Sequence, residues 1–186
     1  MEAYSQNDHT HIWGYLDSAR VSRQAEKVCR ITHADQRCVA SCVAVSVAIA
    51  CILRGQSIPD AMKRAEQFAE VYTPDVKGFL QLAQNVTIAD LCLGEVRTIG
   101  YTYKAMSAGF WALNHASSFE DGLIDIVNEG GDADTNGAVA GALLGATFGF
   151  SAIPHRLVTG LLHKDLLASR IAKLTDIVLD AQPGVS

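Results

Sequence analysis

Aromatic side chains and surplus basic charge are both scarce in this sequence. Only 7% of the residues are aromatic although 49% are hydrophobic, so the apolar content is mostly Ala, Val, Leu and Ile. That combination suits close-packed helices. The net charge is -5 and the Lys and Arg residues are scattered, which is atypical of a protein that binds nucleic acid directly. A chain of 186 residues can bury one good core and is too short for two ordinary domains.

The sequence also lacks paired cysteines and a secretory signal. The five cysteines are odd in number, and no two have the CxxC spacing of a zinc or redox site. Most of them lie in apolar helical stretches, which predicts small buried hydrophobic side chains in a reducing compartment. The N-terminal stretch has neither a basic region nor an apolar region of the signal-peptide type. We therefore expect a cytoplasmic protein. The cysteines are Cys29, Cys38, Cys42, Cys51 and Cys92.

No strand alternation, internal repeat, phosphate-binding loop or Ser/His/Asp ordering is found, and the periodicity predicts an all-α protein. We expect a compact orthogonal multi-helix domain over residues 17–180, built around buried helices at 38–53 and 135–150. The apolar run at 38–53 falls short of the roughly 20 residues of a membrane span, so we predict a core helix and no membrane partner. Residues 1–16, which contain His9 and His11, are predicted to be a flexible polar arm rather than a metal clip, and residues 181–186 a frayed tail.

The chain is organised around residues 128–150, which read NEGGDADTNGAVAGALLGATFGF. Gly130 and Gly131 end the preceding helical run, because glycine adopts left-handed backbone angles cheaply and lets another group approach the main chain. Asp132 or Asp134 can then cap the next helix by accepting from its first free N–H groups. For a generic motif of this length a plain cap is the commoner interpretation.

A metal half-site is the alternative interpretation of the same motif. Asp132, Asp134 and Thr135 offer only oxygen ligands, which suit magnesium, manganese or calcium rather than zinc. A calcium-binding EF-hand loop is excluded, because its twelfth position should be a bidentate Glu and is Leu143 here. Behind the acids, glycines recur every four residues and predict a helix face into which another helix backbone presses. These glycines are Gly137, Gly141, Gly145 and Gly149.

Two further positions carry polar or aromatic groups at element boundaries. His33 and Asp35 lie in the turn that leads into helix 38–53, where free N–H groups and the helix dipole favour an anion. Taken alone, His33 is more often a capping or packing residue, and Asp35 a cap. Tyr101 follows Gly100 in a segment that breaks the helical pattern, and its ring can stack on a base or cover the core.

The stretch GGDADTNGAVAGALLGATFG followed by AIP resembles the C-terminal signature of the ADP-ribosylglycohydrolase family, a group of all-helical metal-dependent hydrolases that includes the dinitrogenase reductase-activating glycohydrolase. The resemblance implies that Asp132, Asp134 and Thr135 are ligands of a Mg²⁺ or Mn²⁺ centre, which holds two ions in a complete member. It also implies that His33 contacts the diphosphate or ribose of ADP-ribose and that Tyr101 borders the adenine. Gly130 and Gly131 would let the sugar approach the backbone.

The implied activity is hydrolysis of the bond between ADP-ribose and a protein side chain or other acceptor. Complete family members also carry a Thr-Asp-Asp ligand cluster and a catalytic acidic residue in an earlier segment, and neither appears before His33. We therefore expect at most a half-site and an N-terminally incomplete domain, with the catalytic residue unassigned and a complementing segment or second polypeptide as partner. The alternative is a non-catalytic ADP-ribose-binding or structural remnant. Apolar surface exposed in such a domain predicts self-association.

Overall fold

The described part of the chain, residues 14–180, consists of helices joined by turns and contains no strand. It is described by a computed structural model, and it confirms the all-α class. Most of the predicted arm, residues 1–13, and the predicted tail, residues 181–186, lie outside the described residues. The helices are α1 Ser18–Cys29, α2 Gln36–Leu53, α3 Ile58–Ala69, α4 Asp75–Asn85, α5 Thr102–His115, α6 Phe119–Asn128, α7 Ala133–Phe148, α8 His155–Thr159 and α9 Lys164–Asp180.

The chain divides into two compact units. Tyr15–Ile153 form one unit, which contains α1 to α7, and the second contains the residues from Pro154 onward with α8 and α9. Compactness of each unit does not measure whether the two unfold together. The prediction of one domain over residues 17–180 therefore stays a prediction.

Helix α2 is the centre of the larger unit and packs against α1, α3, α5 and α7. The Asp35 carboxylate accepts from the Arg37 N–H at 2.8 Å and caps its first turn, as a helix N-terminus requires. Val39, Val43 and Val47 recur every four residues and are fully buried. By length and composition alone α2 is apolar enough to cross a membrane, but half of the helix is buried within the protein, as in a core helix.

The cysteines differ from the prediction of uniform burial. Cys29 and Cys51 are buried, but Cys42 and Cys92 are exposed, and all five are free thiols. Cys42 departs because α2 buries only one side, while its other side faces an open cavity. Cys92 departs because it lies in a turn with a left-handed backbone angle, φ +48°.

Helix α7 packs against α5, α6 and α2, and begins and ends two residues earlier than predicted. The predicted approach of a helix backbone to its glycine face is not what the structure has. Gly137 lies against side chains of α6, where a Cβ would meet Val127 Cγ2 at 3.2 Å, and no heavy atom lies within 4 Å of the corresponding point at Gly141. Gly149 lies beyond the helix and ends it at φ +81°. A four-residue spacing identifies a face but not what covers it.

The close helix approaches occur at two other glycines. A Cβ on Gly109 of α5 would lie 2.8 Å from Val139 Cγ1 of α7, and one on Gly122 of α6 would lie 2.6 Å from Ala116 Cβ. At Gly122 the obstacle is a Cβ that cannot move without its backbone, so this position requires glycine, whereas at Gly109 the obstacles are the ends of the Val139 and Leu143 side chains. These contacts place α5 against α7, and α6 against both α7 and the end of α5.

Candidate functional site

A single cavity of about 860 Å³ collects residues from α1, α2, α5 and α7 and from the turns between them. All of its lining residues belong to the Tyr15–Ile153 unit. Of the residues proposed from the sequence, His33, Tyr101, Asp132 and Thr135 line it, and so does Asp35. Residues about 100 positions apart in the chain therefore face one space.

His33 stands in the turn between α1 and α2. Its backbone N–H donates to the Cys29 carbonyl at 2.8 Å, which fixes the turn, and its Nδ1 lies 2.9 Å from Thr32 Oγ1. The imidazole and the Thr32 hydroxyl both face the cavity and are exposed. The pair can therefore offer a polar contact to a ligand next to the first turn of α2.

Asp35 and Arg37 form a two-point ion pair at the start of α2. Arg37 Nε donates to Asp35 Oδ1 at 3.0 Å, and Nη2 donates to Oδ2 at 2.6 Å. The hydrogen bonds from Arg37 hold the pKa of Asp35 at about 2, below its usual range. The same pair raises the pKa of Arg37, so both groups stay ionised at neutral pH.

Tyr101 is placed at the cavity edge by Gly100, whose backbone angle is φ +77°. A Cβ on Gly100 would lie 3.9 Å from Asp132 Oδ2, so the turn passes close to the acidic motif. The Tyr101 ring meets Phe79 at 5.9 Å and Tyr103 at 5.5 Å between centroids, both edge to face. Tyr101 therefore both packs against neighbouring aromatic side chains and lines the cavity.

Asp132 and Thr135 contribute to the cavity wall from the first turn of α7. Thr135 Oγ1 donates to Asp132 Oδ1 at 2.9 Å, and the Asp132 side chain makes no capping bond to the backbone. Asp134 instead accepts from the Thr135 N–H at 2.9 Å, and this bond lowers the pKa of Asp134. Asp132 occupies the cap position but directs its carboxylate to the Thr135 hydroxyl.

Asp134, Gly130 and Gly131 are not among the cavity-lining residues. Both glycines have positive φ angles, +71° and +65°, as the sequence predicts. A Cβ on Gly131 would collide with the Leu93 carbonyl oxygen, so the close approach at this turn is made by the protein's own backbone. A contact between these glycines and a sugar stays a prediction.

The acidic motif fits part of a site for a hard divalent cation. Asp132, Asp134 and Thr135 supply two carboxylates and a hydroxyl, all oxygen donors. Residues 14–180 contain no group of three or more His, Cys, Asp or Glu side chains placed to hold a metal ion. Mg²⁺ keeps several waters and often binds through one or two carboxylates. A metal half-site at these three residues stays a prediction.

Two features of the cavity escaped the sequence reasoning. The sequence assigned no role to Arg37 and predicted that most of the cysteines are buried, yet the cavity is lined by Arg37, Cys29, Cys38 and Cys42. The only available signal was positional, since Arg37 lies two residues after the cap Asp35. Desolvation, and then the neighbouring Cys29 thiol, raise the pKa of Cys42 to about 12, so the Cys42 thiol is uncharged at neutral pH.

Comparison with known proteins is in agreement with this architecture. The family model described as ADP-ribosylglycohydrolase matches residues 9–184. An uncharacterized protein of Archaeoglobus fulgidus is 31% identical over 84% of this chain and 52% of its own length. The ADP-ribosylarginine hydrolase Tri1 of Pseudomonas putida is 32% identical over 49% of this chain and 24% of its own length.

A solved structure titled ADP-ribosylglycohydrolase-related protein complex superposes with a TM-score of 0.67 at 27% identity. It covers 84% of this chain and 53% of the solved one. The chain thus spans about half the length of the archaeal relative and of the solved structure. Since the family model covers nearly the whole sequence, this chain belongs to the ADP-ribosylglycohydrolase family.

Proposed function

We propose that this chain binds ADP-ribose in the 860 Å³ cavity and supplies one half of the metal-dependent site of an ADP-ribosyl hydrolase. The observation that carries the proposal is that His33, Tyr101, Asp132 and Thr135, which are far apart in sequence, line one space. The volume lies within the roughly 300–1,000 Å³ of small-molecule sites. The Pseudomonas putida relative is named as an ADP-ribosylarginine hydrolase, which makes an ADP-ribosylated protein side chain our proposed substrate.

Different residues of the cavity wall suit different parts of ADP-ribose. Tyr101 offers a ring for stacking on the adenine. His33 and the Thr32 hydroxyl can donate to the diphosphate or the adjacent ribose, beside the positive end of the α2 dipole. Asp132 lies close to Gly100 and can accept from hydroxyls of the distal ribose. The hydrogen bond from Thr135 Oγ1 fixes the orientation of the Asp132 carboxylate. Bond cleavage at that ribose proceeds through a cationic, oxocarbenium-like transition state, which a carboxylate favours.

Asp132, Asp134 and Thr135 would hold Mg²⁺ or Mn²⁺. When bound, such an ion orients ribose hydroxyls and a water and offsets developing charge. Asp134 contributes through its low pKa, which keeps it ionised and able to bind a cation down to acidic pH. The second ion of a complete centre would need further carboxylates.

The chain's own residues supply binding more clearly than proton transfer. Asp35 and Asp132 are the carboxylates among the described residues that line the cavity. Asp35 is a poor general base, because its pairing with Arg37 lowers its pKa to about 2. We therefore propose that turnover requires a carboxylate from another polypeptide segment. The five free thiols support, in addition, a reducing compartment such as the cytoplasm.

A non-catalytic ADP-ribose-binding role is the second candidate, and the small number of carboxylates in the cavity favours it. The two roles differ in turnover and not in binding. Release of free ADP-ribose from an ADP-ribosylated arginine peptide, followed by chromatography, separates them. Metal-dependent release by this chain alone would support the hydrolase, and its absence together with tight binding would support the binding role.

Calorimetric titration of ADP-ribose with and without Mg²⁺ tests the proposal directly. We expect Mg²⁺ to tighten binding by about tenfold, the size of coupling typical of two ligands that interact. The double variant Asp132→Ala/Asp134→Ala should lose this dependence. Asp125→Ala, at an exposed position on α6 outside the cavity, is the matched control and should behave as wild type. Wild-type protein that binds no ADP-ribose under either condition would refute the proposal.

A further inference from the structure

We infer that Cys29 and Cys42 form a thiol–disulfide site in the wall of the cavity, where a small-molecule disulfide such as oxidised glutathione converts the two thiols into one protein disulfide. The inference stands on the placement of the cavity thiols, whatever ligand the cavity binds. Its effect on ligand binding, argued last, rests on the proposed function.

Three of the five cysteines line one cavity. Cys29 is the last residue of α1, and Cys38 and Cys42 lie one turn apart in the first half of α2. The two helices pack against each other, so these side chains come from facing elements. Cys38 is half-buried and Cys42 is exposed, although α2 is a core helix. A small molecule that enters the cavity can therefore reach Cys42, as reaction of a thiol requires.

The neighbours of each thiol select Cys29 and Cys42 as the pair. After desolvation, a side-chain hydrogen bond with Cys29 is the next cause of the raised pKa of Cys42. Such a bond favours the protonated thiol, so Cys42 donates to Cys29. Cys29 is held in place, because its own Sγ donates to the His33 carbonyl oxygen at 3.8 Å. The Cys38 side chain instead bonds to the Thr102 side chain of α5, away from Cys29.

The oxidation consists of two thiol–disulfide exchanges. Cys42 first loses its proton, and its sulfur attacks one sulfur of oxidised glutathione, whose S–S bond breaks and releases a glutathione thiolate. Cys29 then loses its proton and attacks the Cys42 sulfur of the mixed disulfide, which releases the second glutathione thiolate. Each thiolate takes up a proton, so two protein thiols and one glutathione disulfide give one protein disulfide and two glutathione thiols. Cys42 reacts first because it is exposed and Cys29 is buried.

The pKa of Cys42, about 12, makes the exchange slow in both directions. Attack by Cys42 is slow because little of its thiol is ionised near neutral pH. Reduction that must release Cys42 is also slow, because a thiol of high pKa is a poor leaving group. We therefore expect oxidation at pH 8.5 to take on the order of hours, at the slow end for disulfide chemistry, and the product to persist until a strong dithiol is added.

Peptide mapping tests the pairing on the full chain. The reduced protein is incubated with oxidised glutathione at pH 8.5, the reaction is stopped with acid, and the remaining thiols are alkylated in urea. Tandem mass spectrometry should find Cys29 linked to Cys42. Cys92 is exposed in a turn outside the cavity, so its glutathione adduct shows that the reagent is active.

Cys38→Ser and Cys42→Ser are the matched variants, since both positions lie on α2 in the same cavity wall. The link should persist in Cys38→Ser and disappear in Cys42→Ser, and circular dichroism shows that each variant is folded. A link from Cys29 to Cys38 in the wild-type protein would overturn the pairing. Cys42 that remains a free thiol or a glutathione adduct after Cys92 has fully reacted would overturn the site itself.

The disulfide should weaken binding in the cavity, because Cys29 holds the turn that carries His33. The Cys29 carbonyl oxygen accepts from the His33 N–H at 2.8 Å, and the Cys29 thiol donates to the His33 carbonyl oxygen. Oxidation removes that thiol donor and ties the end of α1 to α2. We expect the affinity for ADP-ribose to fall about threefold, a modest loss because a thiol is a weak donor.

Calorimetry of the oxidised and reduced protein with ADP-ribose measures this effect. Dithiothreitol should restore the affinity of the oxidised protein, and incubation with oxidised glutathione should leave the affinity of Cys42→Ser as it was before treatment. Equal affinities of the mapped disulfide form and the reduced form would overturn the effect on binding. Absence of ADP-ribose binding by both forms would overturn the proposed function, whereas the peptide map decides the disulfide independently.

Discussion

Cys42 has a thiol whose proton is held much more tightly than in an open chain. Although the residue is exposed at the cavity, partial desolvation of its side chain raises its pKa to about 12, and the neighbouring Cys29 thiol adds to the shift. Because only the thiolate reacts, alkylation of Cys42 by iodoacetamide should be very slow at pH 8. Below the pKa the thiolate fraction rises about tenfold per pH unit, and the rate should follow it between pH 8 and 11.

Mass spectrometry of the alkylated peptides measures this rate at each pH. Cys92 is exposed in a turn outside the cavity and serves as the internal reference for reagent and handling. Addition of ADP-ribose should slow the Cys42 reaction further if the ligand fills the cavity. Rapid alkylation of Cys42 at pH 8 would show that its pKa is not raised by desolvation at the cavity wall.

Single residues were predictable where their neighbours in the chain determine their role. The left-handed turn at Gly130 and the cap at Asp35 follow from local chemistry, and both are found. The position of Arg37 in the cavity wall was not predictable, because that wall also needs residues such as Tyr101, which lie far away in sequence. The cysteines of the cavity wall were not predictable for a similar reason, since an apolar run of residues does not indicate which side of the helix meets a cavity.

At the scale of elements, the position of a glycine on its helix decides whether it can be replaced. In the interior of α6, a Cβ on Gly122 would lie 2.6 Å from Ala116 Cβ, an atom that cannot move without its backbone. Gly122→Ala should therefore lower the free energy of unfolding by about 1–3 kcal/mol, the usual cost of overpacking. Urea denaturation followed at 222 nm measures the change.

Gly141→Ala is the matched comparison on α7. No heavy atom lies within 4 Å of its Cβ position, so the alanine should add about 0.5–1 kcal/mol of stability through helix propensity alone. Opposite signs for the two variants are the expected result. Equal stabilisation by both would contradict the close approach of α6 to the end of α5.

The positions of the helices in the chain could be predicted from the sequence, but the neighbours against which each helix packs could not. Asp17, Ser57 and Ser118 are of residue types that favour caps, and each accepts from a backbone N–H in the first turn of its helix. The glycine periodicity of α7 was also seen correctly. Its partner was misjudged, because periodicity within one helix carries no information on which neighbour presents side chains and which presents backbone.

At the scale of the whole molecule, composition was enough to predict the fold class but not whether the chain self-associates. Few aromatic residues and abundant small aliphatic ones predicted an all-α protein, and the described residues are helical. Self-association stays a prediction. Several large apolar side chains are exposed, among them Ile31 at 78% and Val71 at 80%, but single exposed residues are common in monomers. Light scattering at several concentrations measures the mass in solution.

The division into two units predicts that the binding site is independent of the C-terminal helices. Every residue that lines the cavity lies within Tyr15–Ile153, including His33, Tyr101, Asp132 and Thr135. A chain that ends at Ile153 should therefore keep its affinity for ADP-ribose within about threefold, since distant changes rarely alter a site by more. Calorimetry of the shortened and full-length chains measures the difference.

The shortened chain needs two controls, because removal of 33 residues, from Pro154 to Ser186, can also affect folding. A cooperative thermal transition followed by circular dichroism shows that the remaining unit is folded. Asp132→Ala in the shortened chain should lose the same factor in affinity as in the full chain if the site is unchanged. A folded shortened chain that no longer binds would show that the second unit contributes to the site, and the cavity walls named here would then be incomplete.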